Sequence, residues 1–236
     1  MFRWRRKTEA PKLRSRSESR DGSRFTSGQA GELAPEKREF LARAAAHQLL
    51  AVEWRSEVID ASPDIPSKHT LLPIIDEATD RHSALLAELQ RMRVRADEAV
   101  AEVWPEFGAY LEQTRPSNWH EYLLTAYLAD GLLRDAFLAM APGLGSDGER
   151  IAAVIGTDTA EAVLRGMLQR EFAADPLLAA KMALWGRRIV GDTLLLIRSG
   201  YQLPADSDEA EARVTAAFSD LVGGHTRRMD ALGLTA

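Results

Sequence analysis

Glu53, His82, Asp130, Asp192 and His225 are polar side chains standing on stripes of sequence that are otherwise apolar. Residues three and four apart share a helix face, so their neighbours identify the stripe. Glu53 follows Ala46, Leu49 and Leu50, and His82 lies among Ile75, Ala78, Leu85, Leu86 and Leu89. Asp130 sits with Leu123, Ala126, Tyr127, Leu133 and Phe137. Asp192 has Trp185, Ile189, Leu195 and Leu196, and His225 has Phe218, Leu221, Val222, Met229 and Leu232. A carboxylate removed from water is costly unless it is paired, hydrogen-bonded or bound to metal. Two chemistries therefore fit: a structural hydrogen-bonded or ionic contact, and a carboxylate–histidine metal site suited to iron or manganese.

Spacing tests the second chemistry. A di-iron bundle takes Glu-x-x-His from each of two helices, because three residues turn about 300° and bring both ligands to one face. Thr79 stands three residues before His82, and Glu77, five before it, lies about 140° round the helix. His47, His69, His120 and His225 also lack an acid three residues earlier, so the sequence holds no complete Glu-x-x-His. It also holds no Gly-x-Gly-x-x-Gly, no Gly-x-x-x-x-Gly-Lys phosphate loop and no Gly-x-Ser-x-Gly elbow. Val222-Gly223-Gly224-His225 resembles a piece of an oxyanion loop but lacks a nucleophile, and reads as a helix irregularity.

These residues need helices to position them. Pro35 opens a helix that should reach Asp60, and Ser62–Ser67 breaks the chain. A second helix is expected over 68–95, bent at Pro73, and a shorter piece over 97–113, interrupted at Pro105. Ser117 is placed to cap a third main helix that ends at Pro142-Gly143. A fourth is expected from Asp147 to Ala173 with Gly156 inside it, a fifth from Asp175-Pro176 to Gly200, and a sixth to Leu232. No stretch alternates as a strand would. The expected fold is all-α, a helical bundle.

Composition bounds the rest. A chain of 236 residues buries a core large enough to fold without disulfides, and it has no cysteine, which removes thiolate chemistry and suits a reducing cytoplasm. No apolar run approaches the roughly 20 residues needed to span a bilayer, so no membrane partner is expected. Residues 1–24 carry nine Arg and Lys against three acids, within a chain of net charge −5. Residues 1–34 therefore read as a disordered basic tail before an acidic helical domain over 35–236, and any RNA contact would fall to that tail.

Three segments carry a family likeness: Ala183 to Leu194 with its Leu-Trp-Gly-Arg-Arg run, Trp119 with Leu123 to Gly131, and His225 to Leu234. Over about residues 40–234 the chain resembles the actinobacterial ferritin-like proteins related to the tRNA hydroxylase MiaE. The resemblance implies a ferritin-like four-helix bundle with additional C-terminal helices. It also implies a metal site of carboxylates and histidines drawn from four helices. Its first-helix Glu falls on Glu53, its second-helix His on His82 and its third-helix acid on Asp130. Its second-helix acid falls on Thr79, and its fourth-helix acid/His pair on Gly156 and Thr159, with Asp158 and Glu161 the nearest carboxylates.

Three ligand candidates thus remain where the family pattern asks for about six. The reading that follows is a non-catalytic binding or scaffold protein with a degenerate di-iron site and no resident cofactor. The alternative is a non-haem iron hydroxylase or oxygenase acting on modified tRNA nucleosides, with Glu53, His82 and Asp130 holding one metal. A homo-oligomer is compatible with either.

Overall fold

The computed structural model describes residues 30–156, 159–202 and 208–235, and among these there are helices, turns and no strand. The helices are α1 (Lys37–Ala61), α2 (Ile65–Arg91), α3 (Ala96–Gln113) and α4 (Trp119–Met140), followed by α5 (Gly148–Gly156), α6 (Ala160–Ala174), α7 (Pro176–Ser199) and α8 (Asp208–Ala231). A 3-10 segment, Ala141–Asp147, joins α4 to α5.

Local chemistry sets these ends. Asp64 caps α2 by accepting from the Ser67 amide at 2.7 Å, and Asp175 caps α7 by accepting from Leu177 and Leu178 at 2.9 and 3.1 Å. The cap of α4 is Asn118 rather than Ser117. Its Oδ1 accepts from the Glu121 amide at 3.1 Å, while the Glu121 carboxylate accepts from the Ser117 amide at 2.7 Å. Pro73 and Pro105 sit inside unbroken helices. Each proline removes a bond to the carbonyl four residues earlier, and His69 and Ala101 are both exposed there, so water serves those carbonyls. The expected fourth helix is two helices, α5 and α6, separated after Gly156.

Helices α1 and α2 form a hairpin across the three-residue connection 62–64 and pack along most of their length. Helix α4 is the hub: it packs on α1, α5, α6, α7 and α8. Its sequence explains this, since Leu123, Leu124, Leu128, Ala129, Leu132, Leu133 and Ala136 are buried around almost the whole circumference. Phe40 and Phe137 meet edge to face at 5.4 Å across α1 and α4, and Trp54 meets Tyr110 at 5.9 Å across α1 and α3. The fold is the all-α helical bundle expected.

The folded part begins earlier than composition suggests. Ala30 and Leu33, placed by sequence at the end of the basic tail, are buried, and the Leu33 carbonyl accepts from the Gln202 amide at 3.0 Å. Gly31 lies against Gly143, whose added Cβ would fall 2.0 Å from the Gly31 carbonyl oxygen. The rest of the basic tail, and with it the expected RNA contact, lies outside the described residues.

Candidate functional site

Helix α1 turns His47, Ala51 and Arg55 onto one stripe, four residues apart, facing α4. Asp130 comes to that interface from the middle of α4, and both of its oxygens are taken up. Oδ1 accepts from His47 Nε2 at 2.7 Å, and Oδ2 accepts from the Arg55 guanidinium at 2.7 Å. All three side chains are buried. Arg55 also donates to the Ile74 carbonyl, which ties α2 to the same point. Gln48 donates to His47 Nδ1 at 3.2 Å, which leaves the ring proton on Nε2, where Asp130 needs a donor.

The electrostatics follow from this arrangement. Burial alone would raise the Asp130 pKa, but the Arg55 charge and the His47 hydrogen bond hold its carboxyl well below the usual range. Burial pushes the His47 pKa down; its bond to Asp130 opposes this, and the Arg81 and Arg55 charges reinforce it. The result is a carboxylate against a guanidinium, with a neutral imidazole as second donor. Arg81 of α2 and Arg134 of α4 are also buried and contribute positive potential to the same region.

The residues marked by sequence are distributed differently. Asp130 is at this centre. His82 is half-buried on α2, with Nδ1 donating to the Ala45 carbonyl at 2.9 Å. Glu53 is half-buried and lines a separate cavity of about 270 Å³ with Glu57, Trp54, Arg115 and Tyr122. Burial and the neighbouring Glu57 raise the Glu53 pKa. Glu161 pairs with Arg134, and Asp158 lies outside the described residues. Among the described residues no three His, Asp or Glu side chains converge into a group that could hold a metal.

The donor set around Asp130 does not fit a ferritin-like metal. A divalent ion there would have to displace the Arg55 guanidinium and sit in the potential of Arg81 and Arg134, where carboxylates normally balance the metal charge. The residues that sequence reasoning missed are His47, Arg55, Arg81 and Arg134. Their signal was present, because Arg134 lies one turn after Asp130, and Arg81 stands beside Ala78 and Leu85.

Other polar contacts brace the bundle around this centre. Arg43 bonds Glu39 at 2.9 Å and Glu106 at 3.0 and 3.1 Å, joining α1 to α3. Tyr110 and Thr193 meet at 2.7 Å between α3 and α7, and Trp185 Nε1 donates to Thr125 Oγ1 at 2.9 Å between α7 and α4. Glu88, buried on α2, pairs with Arg150 of α5. His225 is buried with no hydrogen-bond partner for either ring nitrogen among the described residues. Burial first, and the Arg228 charge second, lower its pKa to about 4. Because the unfolded chain binds that proton more readily, stability should fall as pH drops from about 6.5 toward 4. His225→Leu should flatten that part of the curve in urea titrations, and an unchanged slope would contradict the burial of a neutral imidazole.

No curated protein matches the sequence. A family model described as "Ferritin-like domain, actinomycetes" matches residues 37–200, from the start of α1 to the end of α7, and the chain belongs to that family.

Proposed function

We propose that this chain is a non-catalytic ferritin-like protein, a binding or scaffold bundle. Its centre is an arginine–carboxylate–histidine network in the place where the resemblance to MiaE-type hydroxylases implies metal ligands. One observation carries the reading: both oxygens of Asp130, the third-helix acid, are engaged by Arg55 and His47. A buried pair of this kind holds register between helices and commits both carboxylate oxygens to the protein's own cation and imidazole rather than to a metal.

The hydroxylase alternative draws on family likeness and on His82 and Glu53 as further ligands. It requires Glu53, which faces a different cavity, to join Asp130 at a single ion. Elemental analysis of tag-free protein, before and after anaerobic ferrous loading, distinguishes the two. The expected result is no stoichiometric iron in either state. One or two tightly bound irons per chain, lost in Glu53→Ala or Asp130→Ala, would overturn the proposal in favour of a hydroxylase.

A further inference from the structure

Helices α4, α6 and α8 enclose a cleft of about 310 Å³ lined by Tyr127 and Asp135 of α4, Glu161 and Arg165 of α6, and Arg227 and Arg228 of α8. Its floor is fixed. Arg228 is buried and binds Asp135 through two parallel bonds of 2.7 and 2.9 Å. Gly131 and Gly224 make that possible. A Cβ on Gly131 would fall 2.4 Å from Arg228 Nε, and one on Gly224 would fall 2.9 Å from Asp135 Oδ2. Helix α8 runs unbroken through Val222-Gly223-Gly224-His225, so Gly224 serves close approach to α4, and the segment is not the helix irregularity read from the sequence.

The charges in this cleft do not balance. Asp135 is taken by Arg228, and Glu161 by Arg134 with Arg228 at 3.6 Å. Arg165 and Arg227 line the same cleft, and neither has a carboxylate partner among the described residues. Two guanidinium groups are thus surplus on one side of a chain whose net charge is −5. The Tyr127 hydroxyl adds a donor at the wall; its bond to the Arg228 carbonyl is long, at 3.5 Å. Planar guanidinium forks match the oxygens of phosphate and hold it in two-point contact, and this volume suits a phosphorylated small molecule.

We propose that this cleft binds a phosphate group, with Arg165 and Arg227 as the ligand-facing cations and Arg228–Asp135 as the fixed floor. The proposal stands on the cleft alone and is independent of whether the bundle centre holds metal. The phosphate can belong to a small molecule or to a nucleic-acid backbone, and two probes separate these sources.

The test is calorimetric titration of the full chain with pyrophosphate, and separately with a single-stranded RNA oligonucleotide, at two salt concentrations. It compares wild type, Arg165→Gln with Arg227→Gln, and the control Arg188→Gln on the exposed face of α7. Thermal melts establish that each variant folds. The expected result is pyrophosphate binding that weakens about a hundredfold in the double variant and is unchanged in the control. RNA binding lost in the double variant, without pyrophosphate binding, would support the same site with a polymeric ligand. Binding of either probe that survives the double substitution, or binding of neither by the wild type, would overturn it.

Discussion

Asp130→Ala is expected to destabilise the fold by about 3–5 kcal/mol, because it leaves the Arg55 guanidinium buried without its carboxylate. For a domain of this size that is a fall of roughly 10 °C in the melting temperature. His47 would lose its acceptor at the same time, adding an unsatisfied ring N–H. The cost belongs to breaking the pair, not to the pair itself, so Asp130→Leu combined with Arg55→Leu should recover much of it. The pH dependence has a definite sign. A carboxylate held below its ordinary pKa contributes stability above the usual carboxylate range and loses it as pH falls through the folded-state value. Wild type should therefore lose this contribution progressively as pH falls below about 4 toward strong acid, and Asp130→Asn should show no such dependence. Denaturant titrations of the single and double variants check this. A loss below 1 kcal/mol for Asp130→Ala would show that Arg55 reaches solvent and that no buried pair exists.

Gly131→Ala carries the second large effect, about 3 kcal/mol, for a different reason. The added methyl would meet the middle of the Arg228 side chain, with Nε at 2.4 Å and Cζ at 2.8 Å. Arg228 is buried and bound at both ends of its fork to Asp135, so it cannot swing aside without giving up those bonds. Overpacking and lost charge-assisted bonds then add. Gly191→Ala is the internal comparison: it lies on the exposed side of α7, and a Cβ there meets nothing within 4 Å. That variant should be neutral or more stable by about 0.5–1 kcal/mol, from helix propensity alone. Equal effects at the two positions, measured by thermal unfolding, would mean that α4 and α8 do not approach as described.

Much of this architecture is legible in the sequence. Asp175 and Pro176 mark a helix start by chemistry that acts within four residues, and the structure uses both, whereas the second helix starts at Ile65, capped by Asp64, three residues before the expected 68. Pro105 does not interrupt its helix as expected, and Ala101, whose carbonyl loses its bond there, is exposed. The division between α5 and α6 carries no proline, and Gly156 alone does not distinguish a helix interior from an end. Leu33 follows a stretch rich in Arg, Ser and Gly and so reads as tail, while what holds this segment comes from across the chain: the Gln202 amide on the Leu33 carbonyl, and Gly143 against Gly31.

The site was half legible for a similar reason. Apolar neighbours at three and four residues identified Asp130 as a buried acid, and burial made a partner obligatory. Which partner depends on the register between α1 and α4, and no single helix encodes that. Arg55 and His47 each look like ordinary residues on α1 until α4 is laid against them. Glu53 and His82 lie on partly apolar stripes too, yet one faces a cavity beside Glu57 and the other a backbone carbonyl.

On the proposed reading the bundle interior is completed by its own charges and has no place for a metal at Asp130. Anaerobic calorimetry of the full chain, with and without excess ferrous ion, tests it most directly, since a ligand that binds only the folded state raises the melting temperature. Superimposable transitions are expected. A rise of several degrees with ferrous ion, absent in Asp130→Asn, would contradict it and restore the metal site.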